Sequence, residues 1–295
     1  MTTWRAPPHG QLSRRHLPTR WRISRRRTPN APRAPNDASS TQFIPQGDRL
    51  CPTQLPILTS CRKTPGWRRK GLLEEEKRIT RERDAVNALR RRLPMVRVEK
   101  DYAFEGPQGA LTLRDLFGDA RQLFVGHFMF DAEWENGCSS CTHLADEISP
   151  AHIRHLADSD TAFAYVSRAP IDKIEAYKAK RGWTFPWVSS FGSDFNYDFG
   201  VTFDREKGSV TYNYKTEAEL AERNLYGIRS GQSSEHPGFS AFLRIDDDVF
   251  HTYSTYGRGG ETFGGSHYIL DMTGWGRQQD FEVSPEGWPQ EPTYG

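Results

Sequence analysis

Two cysteines, Cys138 and Cys141, stand with only Ser139 and Ser140 between them. Thiols at this spacing can pass between dithiol and disulfide without distorting a helix. The first thiolate attacks a substrate disulfide, and the second resolves the mixed disulfide. The apolar run Leu123–Phe130 before the pair reads as a strand buried on both faces, followed by a loop and a helix from Cys141 to about Ile148. A helix start offers unpaired N–H groups and partial positive charge, and both favour a thiolate. The same residues also read as half a zinc site or as two inert cysteines. No second cysteine pair or histidine pair follows at ligand spacing, so no metal is expected. His143 reads as a surface or packing residue. Trp134, four residues before Cys138, reads either as a shield and substrate contact or as an aromatic closing the core.

The elements that must hold this pair are legible in outline. Leu72, Ile79, Val86 and Leu93 recur every seven residues, which predicts a narrow-striped helix over about 71–93, stopped by Pro94. Glu74 and Arg78 are spaced to pair on it. This polar helix belongs on the outside of the domain or against a partner subunit. Val96 to Phe104 alternates as short strands, and Gly106-Pro107-Gln108-Gly109 turns the chain into a return strand at Leu111 and Leu113. Arg114–Phe117 reads as a helical turn. Thr161–Ser167 is a second buried strand, and Ile171–Arg181 an amphipathic helix stopped by Gly182. Trp187–Ser190 is a short segment. Phe239–Ile245, a turn at Asp246–Asp248, and Val249–Ser254 close as a hairpin. The order implies an α/β fold, a mixed sheet flanked by helices. His127 and His251 fall in strands and read as core or hydrogen-bonded histidines. Asp194 and Asp198 read as turn and cap residues.

The chain has 295 residues, 36% hydrophobic and 26% charged, with a formal net charge of +2. That total hides a division: the first 70 residues hold 15 basic and 2 acidic side chains, the remainder 25 and 36. Residues 1–66 therefore read as a disordered basic leader rich in Arg and Pro, and 67–295 as the folded domain. Ser13-Arg14-Arg15 is not followed by the apolar stretch an export signal needs. The leader reads as dispensable or mis-assigned sequence, a targeting segment, or a nucleic-acid-touching tail, the only route by which nucleic acid enters the reading. Cys51 and Cys61 lie in it without a role. The longest unbroken apolar run, Ala162–Val166, is far short of the roughly 20 residues a membrane span requires. No Walker-type loop, GxSxG or HExxH occurs.

The ordered strings Leu72–Asp84 (LLEEEKRITRERD), Val98–Pro107 (VEKDYAFEGP), His127–Phe130 (HFMF), Trp134–Cys141, Val166–Pro170 (VSRAP), Gly182–Phe199 (GWTFPWVSSFGSDFNYDF) and Phe250–Arg258 (FHTYSTYGR) resemble a bacterial family of unknown function, number 899. Its members are described as predicted thioredoxin-like dithiol–disulfide oxidoreductases. The resemblance runs from about Trp67 to past Tyr268 and leaves the leader outside. It implies a thioredoxin-like mixed sheet with an added N-terminal helix, and a redox role for Cys138 and Cys141. The family commonly has proline after the first cysteine, where this chain has Ser139, which leaves the redox direction open. In thioredoxin-type folds a cis-proline stands opposite the cysteine pair beside the substrate, and Pro237 precedes a strand as that role requires. Followed by Gly238, it also reads as an ordinary turn.

These readings converge on a cytoplasmic thiol–disulfide oxidoreductase. Its expected partners are a protein or small-molecule thiol or disulfide and an electron donor, and its only cofactor is the Cys138–Cys141 disulfide itself. A non-catalytic thioredoxin-fold binding module is the alternative. A peroxiredoxin-like peroxidase is the third reading, although Glu135-Asn136-Gly137 stand where that branch has its threonine or proline pattern.

Overall fold

A computed structural model describes residues 66–204, 206, 211–222, 234–284, 286–287 and 290–291. The basic leader, with Cys51 and Cys61, lies outside the described residues. The first element is α1 (Gly66–Arg90), which begins five residues before the expected start. Gly71 does not break it, and helical hydrogen bonding runs on as a tight turn to Leu93, where Pro94 ends it. No residue of α1 is buried, and Leu72, Ile79 and Val86 lie exposed. Arg78 pairs with Glu75, three positions before it, and with Glu82, four positions after it, rather than with Glu74. The helix touches the body where Arg83 lies over Tyr268 and Arg90 over Tyr253.

The remaining elements are β1 (Val96–Arg97), β2 (Ala103–Gly106), β3 (Gly109–Thr112), β4 (Gln122–His127), α2 (Ser139–Asp146), α3 (Pro150–Asp158), β5 (Thr161–Ser167), α4 (Ile171–Arg181), β6 (Trp187–Ser189), α5 (Phe195–Asp198), β7 (Thr202–Phe203), β8 (Thr211–Tyr212), β9 (Lys215–Thr216), α6 (Glu217–Ala221), β10 (Ser234–Glu235), β11 (Gly238–Ile245), β12 (Asp248–Tyr256) and α7 (Gly265–Asp271). Short 3₁₀ turns occupy Asp115–Phe117 and Gly257–Phe263. One eight-stranded sheet runs in the order β1-β12-β11-β4-β5-β6-β2-β3. β4, β5 and β6 are parallel, and the other pairings are antiparallel. Its centre, β12-β11-β4-β5, has helices between its two parallel strands, a hairpin beside them and a helix after it. That is a thioredoxin-like fold, with the 103–112 hairpin added at one end.

Alternation along β4 sends side chains to two cores. Leu123 and Val125 join Val166, Val188 and Phe242 on one face, which Phe195 and Phe199 from the α5 segment cover. Phe163, Tyr165, Trp187 and Phe239 line the other face, under α2, α3 and α4. Burial of each such ring stabilises the fold by about 1.5–3 kcal/mol. The aromatic stretch around Phe195 and Phe199 thus packs on the sheet through a short helix.

Helix α3 was legible but not assigned from sequence: Ser149 caps it, accepting from the His152 N–H, and Pro150 opens it. Asp194 and Asp198 are not side-chain caps. Both grip Lys100, at 2.9 and 2.8 Å, and Asp198 also accepts from the Tyr102 hydroxyl. A partner almost a hundred positions away outweighs the local turn role. Among the described residues no helix is long and apolar enough to cross a membrane.

Candidate active site

Beyond β4 the chain remains buried through Phe128 and Phe130 and is tied to the next strand: the Phe128 N–H donates to the Val166 carbonyl, and the Ala169 N–H to that of Phe130. The loop 131–137 then folds back until the Cys138 N–H reaches the Met129 carbonyl at 3.0 Å. Gly137 is required there, because a Cβ would lie 2.5 Å from the Phe128 ring. The Lys173 ammonium holds the loop through the Ala132 carbonyl at 2.7 Å.

Helix α2 starts two residues earlier than expected, with Cys138 at its N-cap. The Cys138 carbonyl accepts both the N–H and the hydroxyl of Thr142, at 2.9 and 2.8 Å, which begins the helical ladder. Cysteine is a weak capping residue, so nothing in its type announced that start. Cys138 is half-buried, Cys141 is buried beneath it, and both are free thiols 4.0 Å apart.

The surroundings separate the two sulfurs electrically. The hydrogen bond from Cys141 brings the Cys138 thiol down to about 6 against the opposing effect of burial, with help from the N–H groups of Cys141 and Ser140 and the Ser140 hydroxyl. No cap hydrogen bond of full geometry forms. The N–H dipoles act on the sulfur through their field at the helix start. Cys141 is pushed the other way, first by its hydrogen bond to Cys138, then by burial and by the Cys138 charge. The surroundings thus favour the thiolate at Cys138 and the protonated thiol at Cys141.

Trp134 lies on the loop leading to Cys138 and packs, half-buried, against the core cluster that contains Cys141. Pro237 precedes Gly238, which pairs with His127 at the end of β4, so it stands at the same sheet edge. Its carbonyl accepts the Tyr212 hydroxyl at 2.8 Å. The expected cis-proline is corrected: its peptide bond is trans. The chain runs directly from β10 into β11 there, and no tight turn calls for the cis form. A polar groove of about 420 Å³ lies beside the pair between α2 and α4, lined by Gly137, Ser139, Thr142, Tyr177 and Lys180 among others. His143 is exposed, bonded to Ser266 and stacked on His267. Among the described residues no group of three His, Cys, Asp or Glu side chains could hold a metal ion.

Sequence reasoning missed a buried charge cluster at this edge. Glu235 accepts from Arg168 at 3.1 Å, from Thr202 at 2.9 Å and from Asn196 at 3.4 Å, and Arg168 also lies 3.7 Å from Asp131. Arg168 thereby links the loop carrying Trp134 to the segment carrying Pro237. Burial raises the Glu235 carboxyl to about 7, against the pull of Arg168 and Thr202. No local pattern marks a pair 67 positions apart.

The family model for bacterial proteins of unknown function (DUF899) matches residues 60–294, and the chain belongs to that family. Among curated proteins none matches it. Among solved structures it is similar to peroxidoxin BcpB of Mycobacterium tuberculosis, at 16% identity over 55% of this chain and 83% of that one, with a TM-score of 0.36. The bacterioferritin comigratory protein of Xanthomonas campestris, whose structure concerns alkyl peroxide reduction, is 15% identical over 54% and 83%, TM-score 0.36. A hypothetical protein from Sinorhizobium meliloti is 12% identical over 60% and 81%, TM-score 0.34.

Proposed function

We propose that this family member is a thiol–disulfide oxidoreductase, with Cys138 as nucleophile and Cys141 as resolving thiol. The observation that carries the reading is the geometry of two free thiols 4.0 Å apart, Cys138 half-buried at the N-cap of α2 and Cys141 buried, with surroundings that lower the first and raise the second. The Cys138 thiolate attacks a disulfide R–S–S–R, forms Cys138–S–S–R and expels one thiolate. Cys141 then displaces the second and closes the Cys138–Cys141 disulfide. The protein loses two electrons and the substrate gains them; two thiols of the electron donor return them and become a disulfide. In this reading Trp134, on the loop before Cys138, and Pro237, beside the β11 residue that pairs with the end of β4, serve as substrate contacts. We set the chemistry in the cytoplasm, where thiols are kept reduced, with a protein or small-molecule disulfide as substrate.

Iodoacetamide labelling of the reduced chain against pH tests it. One thiol should react with a midpoint near 6, and Cys138→Ser should lower labelling at pH 7 by more than tenfold. Two thiols that react only near the unperturbed value of about 8.5 would leave the chain a binding module of the same fold.

A further inference from the structure

The groove between α2 and α4 is built on both sides of Cys138. Gly137 and Ser139 line it, and so does Thr142, whose N–H and hydroxyl hold the Cys138 carbonyl. Tyr177 of α4 lines it too. Because the Thr142 proton is committed to Cys138, the Tyr177 hydroxyl donates to the Thr142 oxygen, at 3.0 Å. The Tyr177 ring packs on Gly137, where a Cβ would lie 3.2 Å from it. At about 420 Å³ the groove has the size of a small-molecule site. No aliphatic side chain among the described residues lines it. It therefore lacks the apolar centre of a protein-docking surface and offers hydroxyls, amides and charge.

The charges along the groove do not cancel. Asp146 is the one carboxylate that lines it, and Asp146 accepts from the Arg181 guanidinium and from the Trp183 indole N–H at 2.9 Å. Lys178, one turn of α4 away, pairs with Glu175. Lys180 is different: its ammonium donates to the neutral Asn136 amide oxygen at 3.2 Å, and no carboxylate among the described residues pairs with it. Asn136 also lines the groove and stands two residues before Cys138. One uncompensated positive charge is thus held on the loop that leads to the nucleophile.

We infer that the groove seats a low-molecular-weight disulfide that carries a carboxylate, with the Lys180 ammonium as the partner of that carboxylate. The inference rests on the redox reading of the cysteine pair and chooses between the two substrate classes left open by it. One half of the substrate lies along the groove with its sulfur at Cys138. The Cys138 thiolate attacks that sulfur; the Cys138–S–R bond forms, the substrate S–S bond breaks, and the other half leaves with the electron pair and takes up a proton. Cys141 then gives up its proton and attacks the Cys138 sulfur, and the second half leaves in the same way. The substrate gains two electrons and two protons and becomes two thiols, while the pair becomes a disulfide. Lys180 neither gains nor loses a proton; it exchanges a neutral acceptor for a charged one, which makes the stronger hydrogen bond.

Dithiodipropionate, hydroxyethyl disulfide and cystamine have arms of matching length and are dianionic, neutral and dicationic, so they test the inference in the full chain. The quantity read is the rate at which each oxidises the reduced cysteine pair at pH 7, divided by its rate with dithiothreitol to remove intrinsic reactivity. The wild type should prefer the dicarboxylate over the neutral disulfide by roughly three- to fivefold, the upper range for a solvent-screened ion pair, and the neutral disulfide over cystamine. Lys180→Gln should remove most of that preference, Lys180→Arg should keep it, and Lys180→Glu should put cystamine ahead of the dicarboxylate. High salt should weaken the wild-type preference. Equal corrected rates for the three in the wild type, or a preference that survives Lys180→Gln, overturn the inference and leave the redox reading standing. Reduction of insulin disulfides without reaction with any of the three does the same and makes the substrate a protein chain. Failure to react with the three and with insulin overturns both.

Discussion

On the face of the sheet covered by α5, His127 hydrogen-bonds with Ser240 at 2.8 Å, Ser240 with Ser254 at 2.8 Å, and Ser254 with His251 at 2.7 Å. On the face covered by α2, α3 and α4, the Tyr165 hydroxyl is unpaired, and Cys138 and Cys141 press on one another. The first group is a run of neutral dipoles laid end to end, with Phe195 and Phe199 against the His127 ring. Its one loose end is the second ring nitrogen of His127. The second group is arranged around a charge. Neutral groups in a low-dielectric core are stabilised by pairing, and pairing makes them inert. A thiolate at a helix start and a hydroxyl held without a partner both carry a cost in the resting fold. In the proposed reading, structural work falls to one face and chemistry to the other.

Acid should break the α5 face first. Burial, and then the His251 charge, hold the His127 ring down to about 3 from its ordinary 6.5. The folded state thus refuses a proton that the unfolded chain accepts. The stability this provides is complete above pH 6.5 and is lost as pH falls toward 3. By pH 4.5 the loss attributable to His127 is about 3 kcal/mol. His127→Phe, compared with the wild type in urea melts between pH 7.5 and 4.5, should remove that slope. An unchanged slope would show that His127 takes its proton without unfolding the face.

Substitution of Gly126 should damage only the other face. Gly126→Ala drives a methyl into the Tyr165 ring and toward Phe239, 3.3 Å away. The expected destabilisation is about 1–3 kcal/mol by urea midpoint, while the acid slope of His127 stays as it was. A change in that slope would show that the two faces are coupled through β4.

Glu235, at the edge where the faces meet, has the opposite sign to His127. Its raised carboxyl stabilises the fold below the unfolded value of 4.5, and the contribution fades as pH rises through about 7. Between pH 5 and 7.5 it should cost about 2 kcal/mol. Glu235→Gln, whatever its baseline stability, should flatten that part of the profile. Equal pH profiles for variant and wild type would mean that Arg168 keeps Glu235 ionised throughout.

Parts of this organisation were legible beforehand. β5 over Thr161–Ser167 and α4 over Ile171–Arg181 match their sequence patterns residue for residue, and Gly182 ends α4 in the left-handed region at φ 71°. The reading fails where the deciding contact is distant. Asp194 and Asp198 looked like local caps until Lys100 reached them. Glu235 sat in an unremarked stretch until the fold brought Arg168 and Thr202 to it. Pro237 was rightly placed before β11, but its peptide geometry depends on how the chain enters that strand.

The sequence by itself determined the central strands, helices α1 and α4, and that two cysteines would meet near a helix start, because periodicity, stops and spacing act between residues a few positions apart. The tertiary structure alone decided that the two thiols titrate in opposite directions, that Tyr165 crosses β4 at Gly126 with its hydroxyl unpaired, and that His127 belongs to an inert chain of hydrogen bonds. Burial and the field at a sulfur or a ring nitrogen are set by whatever the rest of the chain packs around it, and that neighbourhood exists only once the sheet has formed.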